Sequence, residues 1–214
     1  PSGCGKTTAA KLLLRLHDPT EGRLTFDGVD ARELDAGSIR LRVGLVSADA
    51  ALFNDTVLQN MALGREVVTL SEVERACRAV GAETFIAALP EGYRTLLGDW
   101  GFSLSSGQRQ KLAIARRLRR NPDLVVLDEA TAHLDAPAER EVLAALETAL
   151  AGRTVVTIAH DPASVVRADR IFVLNAGTLA ESGTHAELMA ARGLYHRLFE
   201  LQNVGRLPTT RDLS

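Results

Sequence analysis

Apolar positions recur along the chain with two periods. Ala9, Leu12, Leu13 and Leu16 fall on one face of a helix that Asp18-Pro19 closes. Arg23–Asp27 reads as a short strand ending at Gly28, and Arg42–Ser47 as another. Helical patterns follow over Thr56–Ala62 and Ser71–Ala88, the latter opened by Ser71 with Glu74 three residues on, in capping-box spacing. Leu89-Pro90-Glu91-Gly92 breaks that pattern. Leu124–Leu127 is apolar without interruption, as a central parallel strand covered on both faces must be. Thr154–Ala159 is a further strand. Strands alternating with helices predict an α/β chain built on a parallel sheet.

Composition narrows this picture. The chain has 214 residues, 46% hydrophobic and 24% charged, which suits one medium domain or two small lobes with a real core. A formal net charge of -2 argues against a protein whose main task is coating nucleic acid or an anionic membrane. The apolar runs fall far short of the roughly 18 residues that a membrane span needs, so any spanning partner is expected outside these residues. No signal peptide is expected at the start. Two cysteines, Cys4 and Cys77, fit a reducing compartment rather than a disulfide framework. Only Lys6, Lys11 and Lys111 are lysines, a bias read as coding composition rather than function.

Chemistry is concentrated at three places. Pro1-Ser2-Gly3-Cys4-Gly5-Lys6-Thr7-Thr8 carries most of a phosphate-binding loop of the form GxxxxGK[ST], whose opening glycine would precede Pro1. Glycines let backbone N–H groups turn inward around phosphate oxygens. Lys6 would reach the β- and γ-phosphates, Thr7 would ligate Mg²⁺, and Thr8 would begin a helix whose dipole adds positive charge. A glycine-rich turn capping an ordinary helix is the plain alternative. At the end of the Leu124–Leu127 strand stand Asp128 and Glu129, where α/β sheets bind ligands. Asp128 could hold Mg²⁺ and Glu129 could orient or deprotonate a water. His160 follows the strand Thr154–Ala159 and could touch a γ-phosphate, although a lone histidine there is as readily structural.

Leu104-Ser105-Ser106-Gly107-Gln108, continued by Arg109-Gln110-Lys111-Leu112-Ala113-Ile114-Ala115-Arg116, resembles the LSGGQ signature of ATP-binding-cassette ATPases. Leu127-Asp128-Glu129-Ala130-Thr131, Ile158-Ala159-His160 and Leu134-Asp135 extend the resemblance over nearly the whole chain, although Ala132-His133 departs from the usual Ser-Ala. Leu52-Phe53-Asn54-Asp55-Thr56-Val57 with Asn60, and Ala168-Asp169-Arg170-Ile171 through Glu181-Ser182-Gly183-Thr184-His185, are similar to exporter-type cassettes. Ser105 and Gln108 have capping-box spacing and can seal a helix running to about Arg120, leaving an N-terminus suited to an anion. In the family that site faces a nucleotide held by a second cassette. The helix carries Arg109, Lys111, Arg116, Arg117, Arg119 and Arg120 with no acidic residue, which reads as a solvated basic face in preference to a nucleic-acid patch.

The resemblance implies a P-loop NTPase (RecA-like) core over 1–55 and 104–202, a helical subdomain over 56–103 and a mobile tail over 203–214. It implies ATP and Mg²⁺ as cofactors and Glu129 and His160 as catalytic. Ser2, Gly3, Cys4, Gly5, Lys6, Thr7 and Thr8 would bind nucleotide from one side, and Ser105, Gly107, Gln108 and Asp135 from the other. Thr7 and Asp128 would be the metal ligands. The expected partners are a second cassette, in a homo- or heterodimer, and a transmembrane domain fused upstream, with no nucleic acid. The expected place is the cytoplasmic face of a membrane, and the chain is expected to be a fragment of a longer protein. Two positions depart from the family. Ala48 stands where a glutamine follows the second strand, so either coupling is altered or Ser47 or Asp49 substitutes. Ser106 replaces a signature glycine and adds a Cβ where backbone approaches phosphate. The alternative reading is a non-hydrolysing regulatory half of a heterodimeric exporter.

Overall fold

A computed structural model describes residues 4–49, 51–63, 68–98, 103–132 and 134–204. They divide into two compact units, Ala10–Val156 and a second that joins Pro1–Ala9 to Thr157–Ser214.

In the larger unit, β1 (Thr25–Phe26) and β2 (Val29–Asp30) form a minimal hairpin. Asp27 and Gly28 both have positive φ, +50° and +86°, as a two-residue primed turn requires. That turn cuts the strand expected over Arg23–Asp27 to two residues. Helix α2 (Ala36–Arg42), which the sequence pattern did not reveal, begins where the Asp35 carboxylate accepts the Ser38 N–H at 2.6 Å. It leads directly into β3 (Val43–Ser47), which pairs in parallel with β4 (Leu124–Asp128), Val43 opposite Leu124 and Ser47 opposite Asp128. With β5 (Thr154–Ile158) the strand order is β3-β4-β5, the parallel α/β arrangement expected from the apolar run. Val125 and Val126 in β4 are fully buried.

Helix α3 (Val57–Ala62) is capped by Thr56, whose hydroxyl accepts the Gln59 N–H at 3.1 Å. The single helix expected over Ser71–Ala88 is two. Helix α4 (Leu70–Ala79) opens on a capping box between Thr69 and Glu72, two residues earlier than Ser71 and Glu74. It stops ahead of Gly81, at φ +64°, and α5 (Glu83–Ala87) follows. Helix α6 (Ser106–Leu118) packs against α7 (Ala136–Ala149), α4, α3 and β3, and so runs through the centre of the core. That core includes Val46, Met61, Val73, Cys77, Leu112, Ile114, Val125 and Val142.

Helix α1 (Lys6–Leu13) carries the chain from one unit to the other. Ala10 is buried within it and Leu14 just past its end, whereas Ala9 is exposed and Leu16 is 53% exposed. The expected stripe is therefore displaced by one residue, and Arg15 at φ +47° ends the helix well before Asp18-Pro19.

In the smaller unit, β6 (Ile171–Asn175) and β7 (Thr178–Gly183) form an antiparallel hairpin turned at Ala176-Gly177. Helices α8 (His185–Ala191) and α9 (Leu194–Val204) pack on it around Ile171, Val173, Leu188 and Tyr195. The Glu181 carboxylate accepts the N–H groups of Leu194 and Tyr195 at the start of α9, and Gly193 leaves room for it. The tail expected from Asn203 falls partly in α9, which continues to Val204; residues 205–214 lie outside the described residues. No helix among the described residues is long and apolar enough to cross a membrane.

Candidate functional site

Each group of expected site residues sits at the end of a strand or the start of a helix. Ser2 and Gly3 lie outside the described residues. Cys4 is buried, and Gly5 takes φ +102°, a backbone region that glycine enters without a Cβ penalty. Helix α1 opens at Lys6, two residues before the start expected at Thr8. Its first internal bond runs from the Ala9 N–H to the Gly5 carbonyl at 3.0 Å. The N–H groups of Lys6, Thr7 and Thr8 therefore head the helix, where backbone donors and the dipole favour an anion. Lys6 is half-buried and the Thr7 and Thr8 side chains are exposed. In the same unit His160 is exposed, two residues beyond the end of β5.

In the larger unit, Asp128 ends β4, level with Ser47 in the ladder. Glu129 follows at φ +52°, a left-handed conformation that costs a non-glycine residue about 1–2 kcal/mol. The Ala132 N–H donates to the Glu129 carbonyl at 2.9 Å and closes a tight turn beneath it. Both carboxylates are half-buried.

The start of α6 is built as its spacing predicts. The Ser105 hydroxyl accepts the Gln108 N–H at 3.2 Å, and the Gln108 side-chain oxygen accepts the Ser105 N–H at 3.0 Å. Ser106 is half-buried and Gly107 buried against α7. Asp135 caps α7, accepting the Ala138 N–H at 2.8 Å. Ala48 is half-buried, and the Ser47 hydroxyl leans toward the Asp49 carbonyl at 3.5 Å.

Several basic residues on α6 and just past its end are tied to the surrounding chain and do not form the uniformly solvated face expected. Arg109 donates to the Leu104 carbonyl at 2.7 Å, Arg116 to Ala51 at 2.8 Å, Arg119 to Met61 at 2.9 Å and Arg120 to Leu63 at 3.2 Å. Lys111 pairs with Glu141 of α7 at 2.8 Å. These side chains bracket loop carbonyls to the helix. Burial, with Arg117 nearby, pulls the Arg116 guanidinium down to about 10.

Two buried polar side chains organise the surroundings. Asn60 accepts the Phe53 N–H at 2.8 Å and donates to the carbonyls of Phe53 and Thr56, each at 3.0 Å, locking the loop ahead of α3. Gln110 is 1% exposed, and its amide donates to the carbonyls of Ser47 at 2.9 Å and Ala130 at 2.6 Å. The sequence motifs do not single out Gln110 as a site residue. Its signal is an amide three and four residues from Ala113, Ile114 and Gly107, on a face otherwise apolar or small.

The donors suit ATP and Mg²⁺. An N-terminal helix turn with Lys6 offers phosphate ligands, and the hydroxyl of Thr7 and the carboxylate of Asp128 are hard oxygens of the kind Mg²⁺ takes. That ion needs only one or two protein ligands beside nucleotide phosphates. Among the described residues no cluster of three or more His, Cys, Asp or Glu forms a metal cage of its own.

Comparison with known proteins agrees with these features. A family model described as ABC transporter matches residues 1–132. The chain is 48% identical over 202 residues to the ATP-dependent lipid A-core flippase of Paraburkholderia xenovorans, covering 94% of this chain and 34% of that protein. It is 47% identical to the multidrug resistance protein pgp-1 of Caenorhabditis elegans, covering 94% of this chain and 15% of that one. The structure of a bacterial Atm1-family ABC exporter with ATP bound superposes with a TM-score of 0.85 at 42% identity, over 94% of this chain and 35% of that one. The chain thus spans about a third or less of the length of these relatives.

Proposed function

The chain belongs to the ABC transporter family, and on that premise we propose that it binds and hydrolyses ATP to power export of a substrate across a membrane. Residues 1–55 and 104–202 would serve as the ATP-binding core and 56–103 as the helical part. Lys6 and the N–H groups at the head of α1 hold the phosphates, and Thr7 and Asp128 supply the protein ligands to Mg²⁺. Glu129 orients and deprotonates the attacking water, and His160 stabilises the γ-phosphate and that water. Bound Mg²⁺ supplies neutralisation of phosphate charge. Ser105, Gly107, Gln108 and Asp135 face the nucleotide of a second cassette. The complete protein carries a transmembrane domain and works with this part at the cytoplasmic face, in keeping with the greater length of the relatives.

The observation that carries this reading is the strained Glu129, held at φ +52° directly after the end of β4. A left-handed glutamate is retained only where the surrounding structure over-determines it, and such strain gathers at reacting centres. Replacing Glu129 with Gln keeps the shape and removes the base. In the complete protein it should leave ATP binding intact and cut turnover by about 10²–10⁴-fold. Turnover near wild type would refute Glu129 as the base.

Ala48 and Ser106 favour a second reading, a regulatory half that binds nucleotide without hydrolysing it. A methyl group at 48 can neither ligate Mg²⁺ nor accept a hydrogen bond.

A further inference from the structure

Gln110 is one of two polar side chains in the buried set of the described residues, and it bonds the last residue of β3 and the turn just past β4. The β3–β4 ladder stops at the pair Ser47 and Asp128. Directly after that pair the backbone turns sharply at Glu129, at φ +52°. Gln110 carries both N–H donors of its amide to this place. One goes to the Ser47 carbonyl at 2.9 Å and the other to the Ala130 carbonyl at 2.6 Å. The turn is thus held at Asp128 by the ladder, at the Glu129 carbonyl by the Ala132 N–H, and one peptide further on, at the Ala130 carbonyl, by Gln110.

We propose that Gln110 is a positioning residue for Glu129: its amide continues the β3–β4 connection past the last ladder pair and holds the left-handed turn that aims the Glu129 carboxylate. This rests on Glu129 being the base. The physical argument is one of donor count. A neutral side chain that sets two N–H donors against two buried carbonyls is a primary amide of this length, whereas Lys or Arg would bring a charge into the buried place. Asn would fall one methylene short. Glu, when ionised, would present oxygens to oxygens. The same amide links Glu129 to the helix whose first turn carries Ser105 and Gln108, so a shift of α6 reaches the base through one side chain.

The test uses the complete protein with Gln110→Met, Gln110→Glu, Glu129→Gln and the Gln110→Met/Glu129→Gln double variant. ATP affinity is measured with a fluorescent ATP analogue and turnover at saturating ATP. Positioning predicts that Gln110→Met lowers kcat at least 10-fold while the dissociation constant for the analogue changes less than 2-fold. In the Glu129→Gln background the same change should cost less than 2-fold, because there is no base left to misplace. Gln110→Glu should regain kcat relative to wild type as the pH falls from 8 to 6, since the protonated carboxyl donates one O–H to the Ala130 carbonyl. This variant carries the test at low pH where Gln110→Met does not fold. A Gln110→Met protein with wild-type kcat, or one losing affinity and kcat together and additively with Glu129→Gln, would overturn the proposal while leaving the base in place. A Glu129→Gln protein with undiminished turnover would instead sink the base, and the positioning role with it.

Discussion

Gly107 of α6 faces Ala138 of α7 so closely that a Cβ added to Gly107 would lie 3.0 Å from the Ala138 Cβ. The signature glycine therefore has a packing reason in this chain, quite apart from any nucleotide. Gly107→Ala brings a helix-propensity gain of up to about 1 kcal/mol and an overpacking cost of about 1–3 kcal/mol, and the cost should win. We expect a lower urea midpoint for Gly107→Ala and recovery of most of it in Gly107→Ala/Ala138→Gly. Purely additive single and double variants would show that the two helices adjust without coupling.

The cap of α4 gives a cleaner contrast. The Thr69 N–H donates to the Glu72 carboxylate at 3.0 Å and the Glu72 N–H to the Thr69 hydroxyl at 3.3 Å. Thr69→Ala should cost about 1 kcal/mol and Ser71→Ala less than about 0.5 kcal/mol. Chemical denaturation of the two variants side by side checks the order. A larger loss at Ser71 would return the helix start to the place that the sequence pattern suggested.

That misplacement shows what kind of information the chain holds in plain view. Thr69, Ser71, Glu72 and Glu74 satisfy two overlapping capping boxes, and only packing of Val73, Ala76 and Cys77 into the core chooses between them. Local structure set by residue type at fixed spacing was legible: the helix start beside Lys6-Thr7, the strand end at Asp128 and the Ser105–Gln108 cap, together with the parallel sheet implied by Leu124–Leu127. Features set by contacts distant in sequence were not. Arg116 and Arg119 read as a charged face because the carbonyls of Ala51 and Met61 that they meet are 65 and 58 residues away. Gln110 was silent for the same reason: its partners lie on β3 and just past β4.

Cys77 supplies a pH test. Burial pushes its thiol up to about 12, with the charges of Glu74 and Glu83 adding to the rise and the Tyr93 hydroxyl opposing it. The native state keeps the proton across pH 8–10, whereas an unfolded thiol loses it near pH 8.5. The unfolded chain then binds fewer protons, so raising the pH through this range lowers stability. Denaturation midpoints should fall between pH 8.5 and 10, and Cys77→Ala should make that fall shallower. Peptide mapping after iodoacetamide treatment should find Cys77 modified only as fast as the protein unfolds. Rapid labelling in native buffer would contradict its burial.

Ala48 and Ser106 separate the two functional readings, because in the proposed two-cassette assembly substitutions there would act on different nucleotides. Ala48 follows β3 next to Ser47, whose carbonyl Gln110 ties to the Glu129 turn. Ser106 is the first residue of α6, beside the Ser105–Gln108 cap, and would face nucleotide on the partner cassette. Ala48→Gln returns a side-chain oxygen that can ligate Mg²⁺ or a water. In a hydrolysing exporter it should change the ATPase rate of the complete protein or the stimulation of that rate by substrate. Ser106→Gly removes a Cβ and a hydroxyl from the helix head, and should tighten the nucleotide-bound dimer through the partner's site. Each change is assayed alone and with Glu129→Gln. If the activity vanishes with Glu129→Gln in every background, Ala48 is a tuned coupling position in a working motor. If the activity ignores Glu129 throughout, the chain is a regulatory half and hydrolysis belongs to its partner.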